Sequence, residues 1–277
     1  MELWVGCIAG ALEASEFREV LEGREGAALD TCLLNAAALL LDVVAGDDDG
    51  VLVEVDDEVD ELSLDELESI DYHSDNPVAV DILLIGNSVG LGGPLIGDAR
   101  PVAGDNASHG CRVLCDGPVR AGLEVTVTDW QAPPGGPYDV TIEYLVYAHH
   151  DFIDARFAFE QALPTGAGFG LGVRRIPHPD AFLASAEEAI LGVMGQQEGI
   201  IGRTGLGLVL DPAQFLRWDV AEGDDDAYVA RLQSNNGVYR AWLVGVWEHG
   251  GIATSETFTQ HLRDLAGRFA APATVGR

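Results

Sequence analysis

Ile153-Asp154-Ala155-Arg156-Phe157-Ala158-Phe159 is the stretch that decides the architecture. Ile153, Ala155, Phe157 and Phe159 fall at every second position, with Asp154, Arg156 and Ala158 between them. In an extended chain that alternation puts one face on a core and turns the other to water. Working outward, Val78 to Ile85, Val119 to Val127 and Val140 to Tyr147 are rich in β-forming residues on the N-terminal side, and Gly205 to Leu210, Ala227 to Gln233 and Val238 to Trp247 repeat the character downstream. Turn chemistry separates them: Asp116-Gly117-Pro118, the cluster Pro133-Pro134-Gly135-Gly136-Pro137, and Asn235-Asn236-Gly237 as a hairpin turn. Strands at this spacing predict a mainly β protein built as a large antiparallel assembly.

The remaining segments read differently. Ser255 is placed to cap a helix in which Phe258, Leu262, Leu265 and Phe269 form one apolar stripe, with Arg263, Asp264 and Arg268 outside, so this helix should pack on the sheet. Ala14 to Val44 is helical by its Ala, Leu and Glu content. Asp47 to Glu61 is a charged, exposed run with a short strand at Val51 to Val55, and Ser63 with Glu66 matches a capping box. Gly166 to Gly172 is a glycine-rich passage, and the stretch around Asp180 to Ile190 is ambiguous, with helix one reading of it.

Composition bounds the function. The 277 residues carry 46 acidic and 15 basic side chains, a formal charge of −31, and every basic residue is Arg. Nucleic acid and anionic membranes are excluded as partners, because both are held by neutralising phosphates. The absence of lysine excludes Schiff-base and Walker chemistry. At 47% hydrophobic the chain folds rather than staying disordered. Arg in place of Lys under so much acid matches a salt-rich cytoplasm, and the self-repulsion predicts folding that strengthens with salt, since about 1 M salt screens charge within roughly 3 Å. No leader pattern and no run of about 18 apolar residues is present, so a cytoplasmic location is expected. Cys7, Cys32, Cys111 and Cys115 read as buried free thiols, since the Cys111/Cys115 pair lacks a second pair or a His at ligand spacing, and no metal site is expected.

Several motifs carry alternatives. Gly86-Asn87-Ser88-Val89-Gly90-Leu91-Gly92-Gly93 lacks the Lys-Ser/Thr ending of a phosphate loop and reads as tight turns. His73, in Asp71-Tyr72-His73-Ser74-Asp75, is either structural or a general base or metal ligand whose pKa the carboxylates raise. Arg174-Arg175 with His178 is either ion-paired or a clamp for an anionic substrate. Trp242 and Trp247, five residues apart, point to opposite faces of a strand, one to a core and the other, with Glu248 and His249, to a groove where a sugar can stack. His149-His150 reads as a solvated turn, and Glu13 with Glu16 as a solvated helical face.

Four ordered segments resemble the DUF4861 family: Tyr72-His73 with Val80 to Gly93, Val113 to Ala121, Gly195-Gln196-Gln197 with Leu206 to Val209, and Ala241 to Glu248 with the Phe258 helix. The likeness is clearest over residues 70–275. It implies a single-domain β-sandwich over residues 1–277, of the galactose-mutarotase-like supersandwich type, in a haloarchaeal-type member without the N-terminal region that members usually carry. It also reads Leu12 to Arg18 as a strand, against the helical propensity, with Leu12 where the family has Trp and Leu84 where it has Lys. The resemblance implies action on an acidic partner, a uronic-acid-containing oligosaccharide, by elimination of water. That reaction needs a cation for the carboxylate, a base for the C5 proton and an acid for the leaving hydroxyl. Carboxylate binding falls to Arg120 or Arg174, with His178, Trp247 and Glu248 beside the sugar, and proton transfer to His73 with Tyr72 or Glu13. A non-catalytic sugar-binding sandwich and a mutarotase-like epimerase stand as alternatives.

Overall fold

The alternation at residues 153–159 is realised as a strand whose Ala155, Phe157 and Phe159 enter the core. In the computed structural model the described residues are 6–8, 79–81, 88–101, 106–117, 119–148, 150–164, 166–197, 202–221, 227–233, 236–248 and 252–270. Their strands are β1 (Gly6–Ile8), β2 (Ala79–Asp81), β3 (Leu91–Ile96), β4 (Ser108–Asp116), β5 (Arg120–Trp130), β6 (Tyr138–Tyr147), β7 (Ile153–Phe159), β8 (Phe169–Arg174), β9 (Ala181–Ser185), β10 (Ile190–Gln196), β11 (Arg203–Leu210), β12 (Phe215–Ala221), β13 (Ala227–Leu232) and β14 (Val238–Trp247), followed by helix α1 (Ser255–Ala270).

Two antiparallel sheets form a sandwich. The large one has eight strands in the order β4-β5-β6-β7-β14-β11-β10-β9, the small one four in the order β12-β13-β8-β3, and β1 pairs with β2 separately. Between the sheets lies one core that includes Leu91 and Phe169 from the small sheet and Val125, Phe157, Leu208 and Leu243 from the large one. Helix α1 covers the other face of β9, β10 and β11. There Phe258, Leu262 and Leu265 pack with Ile190, Met194, Val209 and Trp242, and a Cβ at Gly192 or Gly207 would stand within 2.6 Å of Leu262. The glycines thus make the flat bed on which the helix lies.

Two expectations are corrected. Residues 180–190 are not helical: β9 and β10 form a hairpin with Ile190 opposite Ser185, closed by a turn in which Glu188 N–H donates to Ser185 Oγ at 3.1 Å and Ala189 takes φ 51°. The acidic and alanine content that favours helix sits in that turn. The α1 cap lies at Thr254, one residue before Ser255, where Thr254 Oγ1 accepts from Thr257 N–H and Thr257 Oγ1 from Thr254 N–H, each at 3.2 Å. The segments read as an N-terminal helix, a charged run and a capping box (14–66) lie outside the described residues, as does most of 78–85.

Candidate functional site

Glycines at the entry to β3 bring the chain back over β8. Gly90 (φ 61°) and Gly92 (φ 75°) take left-handed backbone conformations that a side chain resists. Val89 then settles on Gly172, where a Cβ would lie only 2.4 Å from Val89 Cγ2. The turn at Ser88 to Gly90 is pinned from several sides. Gly90 N–H donates to Ser88 Oγ at 3.2 Å, Arg100 Nη1 to the Ser88 carbonyl at 2.7 Å, and Arg174 N–H to the Gly90 carbonyl at 2.6 Å.

Arg174 ends β8 on the face shared with Gly170 and Gly172, away from Phe169, Leu171 and Val173, which enter the inter-sheet core. Its cross-strand neighbour is the fully buried Ala227. The guanidinium is half-buried, and its Nη1 is closed off from solvent with no hydrogen-bond partner among the described residues. Burial lowers its pKa from the ordinary guanidinium value. Because arginine does not give up its proton, a charge is held here partly desolvated, at a cost that an acceptor, best of all an anion, would offset. Arg112, Arg156, Arg203, Arg217, Arg231, Arg240 and Arg263 are different, since each lies within 4.0 Å of a carboxylate.

Beyond Arg174 the chain crosses the end of β10. A Cβ at Gly195 would meet Ile176 Cγ2 at 3.0 Å and Pro179 Cα at 3.1 Å, and Asp180 N–H donates to the Met194 carbonyl at 2.8 Å. This loop delivers Asp180 to Arg203, whose Nε lies 3.0 Å from Asp180 Oδ2. Arg203 N–H donates to Glu248 Oε2 at 2.9 Å, and its Nη1 stands 3.9 Å from Glu248 Oε1. The Glu248 carboxylate therefore ties the end of β14 to the start of β11.

The sequence-derived site residues do not gather on one face. Arg120 is exposed at the start of β5 on the outer face of the large sheet, where Cys115 and then Tyr147 raise its pKa. Arg174 is on the outer face of the small sheet. Trp247, opposite Thr204, is on the inner side of β14, while Trp242 packs beneath α1 against Phe152 at 4.0 Å between ring centroids, so the two tryptophans do take opposite faces. His178 is exposed in the 175–180 loop with φ 53°. His150 lies 3.0 Å through Nδ1 from the Ala148 carbonyl and edge-on to Phe152. Glu13, Tyr72, His73, His149 and His249 lie outside the described residues.

Sequence reasoning missed Ser88, Arg100, Asp180 and Arg203. The scarcity of arginine is the one signal that marks Arg100 and Arg203. Among the described residues no group of three or more His, Cys, Asp or Glu side chains is arranged to hold a metal, and no helix is long and apolar enough to cross a membrane. A family model described as a domain of unknown function, DUF4861, matches residues 52–275. No curated protein matches the chain.

Proposed function

Because the chain belongs to the DUF4861 family, whose description names no activity, we propose that its function rests on the Arg174 end of the small sheet: it binds uronic-acid-containing oligosaccharides and eliminates water from them, with Arg174 receiving the carboxylate. The observation that supports this reading is the buried Arg174 Nη1 without a hydrogen-bond partner among the described residues, in a chain whose acidic residues number 46 against 15 basic ones. Guanidinium matches a carboxylate in a two-point contact, and neutralising that carboxylate acidifies the neighbouring C5–H. A base then takes the C5 proton, the C4–O bond breaks, a C4=C5 double bond forms, and an acid protonates the departing hydroxyl to water. His73, with Tyr72 or Glu13, is the proposed proton-transfer set. The proposed setting is a cytoplasm of molar salt, in which the field of a −31 chain is screened and short-range arginine contacts decide binding.

The test is incubation of the protein in molar KCl with uronic-acid oligosaccharides while following the absorbance of the unsaturated uronate. The expected result is new absorbance, with kcat/KM reduced by about 100-fold or more in Arg174→Gln. Binding without absorbance returns the protein to the non-catalytic sugar-binding class. No binding, or full activity in Arg174→Gln, overturns the role of Arg174.

A further inference from the structure

At the mouth of the sandwich, β9 on the edge of the large sheet meets β13 of the small one, beside which β12 forms the edge. Ala181 and Leu183 of β9 pack toward α1, so the strand turns Phe182 to the opposite side. Phe182 is 50% exposed, and its ring centroid lies 4.6 Å from that of Tyr228 at an interplanar angle of 41°. In register beside Tyr228 stands Val220, 51% exposed, and the guanidinium carbon of Arg175 lies 6.0 Å from the centre of the Tyr228 ring. Trp218, on the same face of β12 as Val220, packs against Phe215 at 4.5 Å between ring centroids and closes the floor behind the pair. The mouth therefore combines two tilted aromatic rings and an apolar side wall, with a guanidinium beside the Tyr228 ring.

We propose that this mouth is a sugar-stacking subsite, holding a ring of the oligosaccharide other than the one whose carboxylate reaches Arg174. An open pair of tilted rings, with Val220 beside it, offers the apolar face of a pyranose a surface to lie on. Arg174 and Arg175 leave the end of β8 on opposite sides, so a ligand must be several rings long to use both places. A second copy of the chain fits poorly. Two partners each at −31 repel one another, and two rings with one valine fall far short of the roughly 1,000 Å² that a specific interface needs. The inference rests on the reading that the ligand is an oligosaccharide, but not on its carboxylate.

Titration calorimetry in molar KCl tests it, with a six-residue oligogalacturonide, a two-residue one and neutral cellohexaose, on the wild type, Phe182→Ala and Phe182→Tyr. Phe182 is half-exposed, so its replacement leaves the fold intact. The expected result is that Phe182→Ala weakens the acidic hexamer about tenfold and leaves the dimer unchanged, while Phe182→Tyr restores the hexamer. Equal affinity of wild type and Phe182→Ala for the hexamer, or an equal loss on the dimer, overturns the subsite and leaves the Arg174 reading standing. Binding of cellohexaose alone, weakened by Phe182→Ala, keeps the subsite and overturns the uronate reading. Binding of neither hexamer overturns both. Sedimentation of wild type as a dimer that Phe182→Ala dissociates makes the mouth an interface instead.

Discussion

On the outer face of the large sheet, arginine and carboxylate are laid out as a row, whereas at the Arg174 end of the small sheet a guanidinium is withheld from every described carboxylate. The row follows the register: Arg112 opposite Glu124, Glu124 opposite Glu143, Glu143 opposite Arg156, and Arg156 opposite Arg240. Arg112 grips Glu124 at 2.5 and 2.8 Å, which holds that carboxyl below its usual range although Glu143 stands beside it. Arg156 reaches Glu143 at 3.0 Å, and Arg240 turns diagonally to Asp154 at 2.9 and 2.5 Å. The small sheet has such matching at its other end, where Arg217 and Arg231 share Asp219 and Arg231 also binds Asp98 and the carbonyls of Gly97 and Gly168. With acid so abundant, a matched arginine is the default, and Arg174 is the informative departure from it.

Breaking a matched, buried arginine should have the largest effect. Arg231 is 7% exposed, so Arg231→Met strands the Gly97 carbonyl and one side of Asp219 and leaves the Gly168 carbonyl only its bond from Gly97 N–H, at a cost of about 3 kcal/mol in denaturant unfolding. The acid limb gives a second readout. Asp219 is held below the ordinary aspartate range first by the hydrogen bond from Arg217, against which burial works, and then by the hydrogen bond from Arg231. A depressed carboxyl contributes stability above its unfolded pKa and loses it as pH falls through the folded value. Arg231→Met should therefore shrink the acid-dependent loss below about pH 4. An unchanged acid limb would show that Arg217 alone sets this carboxyl.

Arg174→Met should act in the opposite direction. Removing a half-buried charge that has no partner among the described residues relieves desolvation, so stability should rise by about 1 kcal/mol while oligosaccharide binding is lost. A loss of stability as large as that of Arg231→Met would mean that Arg174 is structural, and the contrast between the two arginines would collapse.

The same contrast explains what the sequence could show. Strands β5, β6, β7, β11, β13 and β14 were legible because they alternate or are dense in β-branched residues. β3, β8 and β10 were not, because they are buried on both faces and rich in glycine: Gly170 and Gly172 clear space for Val229 and Val89, and Gly192 for Leu262. Those glycines read as turns until the neighbour that fills the space is known. β4 and β12 are edge strands in which exposure interrupts the pattern. Within the site, Arg174 stood out as rare positive charge. Ser88 and Asp180 did not, since Ser88 meets Arg100 only once Val89 lies on Gly172, and Asp180 meets Arg203 only once the 175–180 loop crosses Gly195.

The smallest effect sharpens the comparison most, because it separates screened charge from buried charge. Arg156 and Glu143 leave 45% and 32% of their side chains exposed, so Arg156→Gln should cost only about 0.5 kcal/mol in dilute buffer. What is lost there is relief of the Glu124–Glu143 repulsion as much as the pair itself, since the two carboxylates are direct cross-strand neighbours. At about 1 M KCl, where charge is screened within roughly 3 Å, the penalty should vanish. The Arg231→Met penalty should persist in the same salt, because Arg231 is itself buried and what it loses is hydrogen bonding to backbone carbonyls and Asp219 rather than a screened surface pair. If both penalties fall together with salt, the pairing at Asp219 is as exposed to the medium as the row on the large sheet. The two faces would then differ in register but not in physics, and the desolvated Arg174 would stand apart from both.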